Sequence, residues 1–300
     1  MKKNISVVMA VYNGEKYLRE QLDSIYAQTL KPYEVIAVDD CSTDSSFAIL
    51  KEYAATKGLR CISNEKNLGV NATFAKAISL ATCEFIAISD QDDVWFDRKL
   101  ERLYQELSTM PDNEPNLVTS AVTDVDSDLN VVYKKNISLH PASFYDFVPD
   151  LFMQGSTQLF NRKVKDLLVI APKGTYDLQI STTVSLCGNR KFVTEPLGYY
   201  RHHNKNVAAS WNYSKFGRFL RHIFRKYILD YGISKAYITL FLKPKYDEYK
   251  SSISINRSNF FEKITHINEN IFCLLAIKEW SLVKRIRVFV GTLTLRAFRR

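Results

Sequence analysis

The chain has 300 residues, 46% of them hydrophobic, 13% aromatic and 24% charged. That excludes a disordered or low-complexity chain and leaves room for one large core, or a core with an appendage. The net charge of +9 is uneven, because Trp211 to Arg300 carries 18 Lys+Arg against 6 Asp+Glu and the remainder stands at −3. Any attraction to a polyanion or an anionic membrane face belongs to that last third. The cysteines Cys41, Cys61, Cys83, Cys187 and Cys273 form neither a zinc pattern nor a CxxC pair. Scattered thiols in odd number fit a reducing compartment. Asn13 interrupts the N-terminal apolar run before a signal-peptide core can form. No apolar run nears the roughly 18 residues that span a bilayer. A cytoplasmic protein is expected.

In chain order, Ile5 to Val11 reads as a buried strand, followed by a helix with Leu18, Leu22 and Ile25 on one face. Glu34 to Val38 is a second strand ending in Asp39-Asp40, and Ser42 or Thr43 is placed to cap a helix carrying Phe47, Leu50 and Tyr53. Leu59 to Ile62 is a short strand, and Phe74, Ala77, Ile78 and Ala81 mark the next helix. Glu84 to Ile88 is a strand that runs into Ser89-Asp90-Gln91-Asp92-Asp93, before a helix face of Leu100, Leu103, Tyr104 and Leu107. This alternation predicts an α/β protein with a parallel sheet covered by helices, and both acidic clusters then face one crevice at the strand ends. Beyond Met110 the alternation weakens: Leu117 to Val125 and Val131 to Tyr133 read as strands, and Gln179 to Cys187 as a helix stopped by Gly188. Phe216, Phe219, Leu220, Ile223, Phe224 and Tyr227 then recur at helical spacing, with Lys215, Arg218, Arg221 and Arg225 opposite. That is a basic amphipathic helix, suited to an anionic membrane surface or to packing on the first domain. The expected division is 1–210 and 211–300.

Asp90, Asp92 and Asp93 crowd four positions after an apolar strand. Clustered carboxylates repel, so either a hard divalent cation, Mg²⁺ or Mn²⁺, relieves them, or they form a solvated loop capping the next helix. Asp39-Asp40 is either a hydrogen-bonding site for a base or ribose, or part of a helix N-terminus with Ser42-Thr43-Asp44. Tyr12-Asn13-Gly14 makes a turn whose backbone can border a base. Neither GxGxxG nor GxxxxGK[ST] occurs, so dinucleotide and P-loop readings lack their motifs. No helix-turn-helix, zinc or RNA-recognition signature accompanies the basic tail, so no nucleic-acid partner is expected.

Four linked stretches carry a resemblance: Val7-Val8-Met9-Ala10-Val11-Tyr12-Asn13-Gly14, Val38-Asp39-Asp40-Cys41-Ser42-Thr43-Asp44, Asn64-Glu65-Lys66-Asn67-Leu68-Gly69 and Ser89-Asp90-Gln91-Asp92-Asp93-Val94-Trp95. In order and spacing they resemble the family 2 glycosyltransferases of the GT-A fold, including rhamnosyltransferases and hexosyltransferases of bacterial capsule and O-antigen pathways. Cys41 departs from the family, which has glycine there. The resemblance implies inverting transfer of a sugar from a UDP- or dTDP-sugar to a glycan or lipid-linked acceptor, at the inner membrane face. It implies that Tyr12, Asn13, Asp39 and Asp40 line the nucleoside pocket, that Asn67 and Gly69 lie near the donor, and that Asp90 contacts the ribose or the metal shell. Asp92 becomes the metal ligand of a DxD motif.

A weaker match continues beyond Met153. Gln154, Gly155 and Ser156 resemble the segment bordering the acceptor. Asp177, in Tyr176-Asp177-Leu178, falls where relatives carry an acidic residue before a helix, which makes it either the general base or an N-cap. Tyr200-Arg201-His202-His203 resembles the family's Tyr-Arg-x-His stretch, which implies that His203 completes the metal shell or touches the diphosphate and that Arg201 neutralises phosphate charge.

Overall fold

A computed structural model describes residues 4–133, 154–168, 170 and 175–203. The chain divides into two units, Met1–Pro141 with Phe152–Lys205 and Ala142–Leu151 with Asn206–Arg300, and every described residue lies in the first. The expected basic amphipathic helix and the boundary at residue 210 lie outside the described residues.

The elements run β1 (Ile5–Val11), α1 (Leu18–Ala27), β2 (Glu34–Asp39), α2 (Ser46–Lys57), β3 (Arg60–Ser63), α3 (Val70–Leu80), β4 (Phe85–Ser89), β5 (Val94–Trp95), α4 (Lys99–Leu107), β6 (Asn116–Val125), β7 (Val131–Tyr133), a 3-10 turn (Gly155–Thr157), β8 (Leu159–Asn161), α5 (Arg162–Leu167), α6 (Tyr176–Cys187) and β9 (Asn189–Arg201). The strands form one sheet in the order β3-β2-β1-β4-β8-β6-β9-β5, with β7 paired to β6. β3, β2, β1 and β4 are parallel, as is the β6–β9 pair, while β8 joins β4 and β6 antiparallel. This is the expected α/β arrangement of GT-A type.

Side chains alternate across β1. Ile5, Val7, Met9 and Val11 pack with Leu18, Leu22 and Ile25 of α1 and with Leu100 and Leu103 of α4. Val8 packs on the other face with Phe74, Ala77 and Ile78 of α3 and Ile180 and Val184 of α6. Both faces are covered, so the parallel strands read as unbroken apolar runs rather than as alternating patterns. No helix among the described residues is long and apolar enough to cross a membrane.

Two local expectations are corrected. The N-cap of α2 is Ser45, which makes no side-chain cap bond. Asp44 bonds the helix terminus instead: its Oδ1 accepts the Ser46 N–H at 2.9 Å and its Oδ2 the Glu15 N–H at 3.1 Å. Ser42 is spent on the β1–α1 turn, accepting the Asn13 N–H at 3.0 Å. Gly188 does follow α6, but at φ −146° it is extended, not left-handed. Glycine is required there because a Cβ would collide with the Pro115 carbonyl.

Cys41 sits at φ +61°, in the left-handed region. The turn after β2 keeps the conformation that suits glycine and carries a side chain at a cost, offset in part by the Cys41 thiol, which donates to the Asn64 carbonyl at 3.1 Å. Cys41→Gly should therefore stabilise the fold by roughly 0.5 kcal/mol, the left-handed strain outweighing the added chain entropy. A thermal melt showing a Tm higher by about 1 °C is the expected result.

Candidate active site

The register of the parallel strands brings the acidic clusters to one edge: Val11 lies opposite Asp39, and Met9 opposite Ser89. Asp39 is buried, and its Oδ2 accepts the Ser42 N–H at 3.2 Å. Its Oδ1 is buried with no protein partner. An orphaned carboxylate oxygen at a strand end is costly unless a ligand donates to it.

Asp40 has a different task. Its Oδ1 accepts the Asn64 amide at 2.7 Å and the Leu68 N–H at 2.8 Å, and its Oδ2 the Gly69 N–H at 2.8 Å. Desolvation alone would raise its pKa, but these bonds outweigh it and hold the carboxyl below its ordinary value. Asp40 thus shapes the β3–α3 loop. Within that loop the exposed Asn67 bonds the Asp40 carbonyl and the N–H of Gly69, whose φ is +82°.

The turn after β1 is built to hold an open face. Asn13 is left-handed at φ +48° and accepts the Thr43 N–H at 2.8 Å. The Tyr12 side chain is exposed, but its peptide is clamped at both ends by Gln91, which accepts the Tyr12 N–H at 2.8 Å and donates to its carbonyl at 3.1 Å. Gln91 packs so closely on Gly14 that a Cβ there would meet its amide. The residue between Asp90 and Asp92 therefore ties the loop after β4 to the turn after β1.

The loop after β4 gathers the acidic groups. Asp90 Oδ1 accepts the Tyr176 hydroxyl at 2.7 Å, and the Tyr176 ring stacks on Phe74 at 3.8 Å. Asp92 Oδ2 lies 2.8 Å from His203 Nε2, and Asp93 Oδ1 accepts the Arg201 N–H at 3.1 Å. Buried Lys99 reaches the Ser156 carbonyl at 2.6 Å, with its ammonium over Trp95 at 4.3 Å. Desolvation, reinforced by neighbouring carboxylates, pushes Asp90 and Asp93 above the ordinary range. Burial pushes Lys99 down, against the pull of Asp93 and Asp90. A divalent cation would relieve this repulsion. Among the described residues no group of three or more His, Cys, Asp or Glu side chains is placed to hold a metal. The Asp92–His203 pair offers one carboxylate oxygen and one imidazole nitrogen, a donor set that fits Mn²⁺ or Mg²⁺ when a diphosphate and water supply the rest.

Asp177 occupies the first turn of α6. Its Oδ1 accepts the Leu178 N–H at 2.7 Å, and its carbonyl accepts the Gln158 amide at 3.1 Å. Desolvation raises its pKa above the ordinary value. Gly155 and Ser156 lie buried in the 3-10 turn that follows half-buried Gln154, and a Cβ at Gly155 would collide with the Tyr176 hydroxyl. Tyr176 thus links Asp90 to the turn expected to border the acceptor.

Of the expected site residues, Asp90, Asp92, His203 and Asp177 are brought around this loop, and Asp39, Tyr12 and Asn13 line the neighbouring strand ends. Arg201 is placed differently from expectation: it is 2% exposed and bonds protein groups, the Asp92 and Ser127 carbonyls and Glu20. Gln91, which clamps the Tyr12 peptide, and Lys99, which reaches the Ser156 carbonyl, are not among the expected site residues. Lys99 left one signal, since it shares a helix face with Leu103 and Leu107, where a lone cation must find a buried partner.

The chain is similar to EpsE of Bacillus subtilis (strain 168), a glycosyltransferase by name, with 40% identity over 100 residues, 33% of this chain and 36% of that one. The chain thus spans about a third of that relative's length. Its fold is similar to that of Staphylococcus aureus TarS 1–349 in complex with UDP-GlcNAc, at a TM-score of 0.60 and 17% identity over 98% of this chain and 92% of the other. It is also similar to that of the mannosyltransferase PcManGT from Pyrobaculum calidifontis in complex with GDP-Man and Mn²⁺, at a TM-score of 0.53 and 14% identity over 99% and 88%. The sequence model of glycosyl transferase family 2 matches residues 6–166, more than half of the chain, and the protein belongs to that family.

Proposed function

We propose that the protein transfers a sugar, a hexose or rhamnose, from a UDP- or dTDP-sugar to an acceptor hydroxyl with inversion at the anomeric carbon. The observation that carries this reading is the convergence of Asp39, Asp90, Asp92 and His203 beyond the carboxyl ends of strands with Asp177 in the first turn of α6. The donors in the TarS and PcManGT complexes, UDP-GlcNAc and GDP-Man, support a nucleotide sugar, and the Mn²⁺ in the second supports a divalent ion. A glycan or lipid-linked acceptor of cell-surface polysaccharide synthesis fits the family resemblance.

In this reading the unpaired Asp39 Oδ1 accepts a base N–H or ribose hydroxyl, beside the Tyr12–Asn13 turn. Asp92 and His203 would hold the divalent ion, which would supply positive charge to a leaving diphosphate. Asp177 takes the proton from the acceptor hydroxyl as its oxygen attacks the anomeric carbon, and the bonding pair of the breaking C–O bond leaves on the diphosphate. The raised pKa of Asp177 suits a base that must grip a proton during attack.

Asp39→Ala tests the donor side. It should weaken UDP or dTDP binding, measured calorimetrically with Mn²⁺ present, about tenfold or more, the cost of one hydrogen bond to a charged group. An unchanged affinity contradicts the placement of the nucleoside at Asp39, and binding of neither nucleotide by the unmodified protein contradicts the donor assignment.

A further inference from the structure

Arg201 is 2% exposed, a costly position for a guanidinium unless its donors are matched. Its contacts come from three separate parts of the fold: the loop after β4, the β6–β7 turn and the start of α1. Nε donates to the Asp92 carbonyl at 2.9 Å, and Nη1 donates to the Ser127 carbonyl at 2.6 Å in the β6–β7 turn. Nη2 pairs with Glu20 on α1. The backbone N–H donates to Asp93 Oδ1 at 3.1 Å. The guanidinium carbon lies 4.4 Å from the centroid of the Tyr17 ring, and the His203 imidazole packs on the same ring at 5.0 Å and 34°. One side chain therefore grips the backbone of Asp92, while Tyr17 bridges it to the imidazole of His203.

The geometry points to Arg201, with Tyr17 as its stacking partner, as the positioning residue of the Asp92–His203 pair: it fixes the two donors in register for a divalent cation. This rests on the metal reading of that pair. Neither donor sits inside regular structure, since Asp92 lies in a loop and His203 follows the end of β9. Their 2.8 Å approach must therefore be imposed from outside. A planar fork reaches acceptors in three directions at once, whereas a lysine ammonium on a single flexible stem does not. Groups that orient metal ligands without touching the metal are worth about 10–100-fold in metal affinity.

The test is a titration of the full chain with Mn²⁺ alone, read by the electron paramagnetic resonance signal of free Mn²⁺. Arg201→Lys and Tyr17→Leu are compared with the unmodified protein and with Arg102→Lys, which alters a guanidinium paired with Glu195 on the surface of β9. Arg201→Lys should weaken Mn²⁺ binding by about 10–100-fold and Tyr17→Leu by about tenfold, with Arg102→Lys unchanged. A purely structural role would lower Tm and leave the Mn²⁺ affinity of the folded protein where it was. Should Arg201→Lys fail to fold, Tyr17→Leu carries the test, because it leaves the guanidinium and its hydrogen bonds in place. Folded variants that bind Mn²⁺ with the unmodified affinity overturn the inference while the metal reading stands. Unmodified protein that binds Mn²⁺ neither alone nor with UDP or dTDP present overturns both.

Discussion

Asp177→Asn lowers the transfer rate by about 10²–10⁴-fold, the usual contribution of a positioned general base. The substitution keeps the shape of the side chain and an oxygen for the Leu178 N–H, so the first turn of α6 retains its bond. What it removes is the proton acceptor of the proposed mechanism. The pH dependence gives a second readout. Desolvation raises the Asp177 pKa, and the proposed base works only when ionised, so the acidic limb of the rate profile should lie above the ordinary aspartate value. Asp177→Asn should remove that limb as well as the rate.

The linked stability effect has the opposite sign. A carboxyl whose folded pKa is raised favours the fold below its unfolded pKa, and that contribution is lost as pH rises through the folded value. At neutral pH the Asn variant should therefore melt no lower than the unmodified protein. Transfer at the unmodified rate would remove Asp177 from the reaction.

Asp92→Ala should reduce transfer by about 10³-fold, consistent with the several kcal/mol that a metal contributes to a charged leaving group. It should also abolish Mn²⁺ binding measured directly. The fold should survive, because the Asp92 carbonyl still accepts Arg201 Nε and the lost carboxylate bond is the one to His203. A circular dichroism spectrum and melt like those of the unmodified protein, together with the lost rate, are the expected pair of results. Unmodified activity in Asp92→Ala contradicts the metal assignment.

The first half of the fold was legible because its strands are buried on both faces and its helices keep an apolar stripe. Val35 to Val38 and Ile86 to Ile88 have no competing interpretation as surface loops, and Leu18, Leu22 and Ile25 sit at helical spacing. β9 was missed for physical reasons. Its run carries Arg190, Lys191, Glu195 and Pro196, and its pairing with β6 shifts register around Ala121, opposite Pro196, so neither alternation nor an apolar run survives. β8 has three residues and is placed by its neighbours β4 and β6 rather than by its own pattern.

At the site, sequence spacing found the carboxylates but not the division of labour among them. Asp39 and Asp40 are adjacent and chemically identical, yet one keeps an open oxygen and the other spends both oxygens on the β3–α3 loop. Tertiary contacts decide that difference, and nothing in the dipeptide encodes it. Arg201 is the same case: a motif arginine two residues before His203 reads as a phosphate contact until its bonds to Asp92, Ser127 and Glu20 are seen.

Metal-dependent use of a nucleotide sugar is measured most directly as release of nucleoside diphosphate. The full chain is incubated with a panel of UDP- and dTDP-sugars in Mn²⁺ or Mg²⁺, and in parallel with EDTA. At least one donor should yield its nucleoside diphosphate with metal present, fall to background in EDTA, and fall to background with Asp92→Ala. Release that is equal with and without EDTA, or equal in Asp92→Ala, would contradict the account.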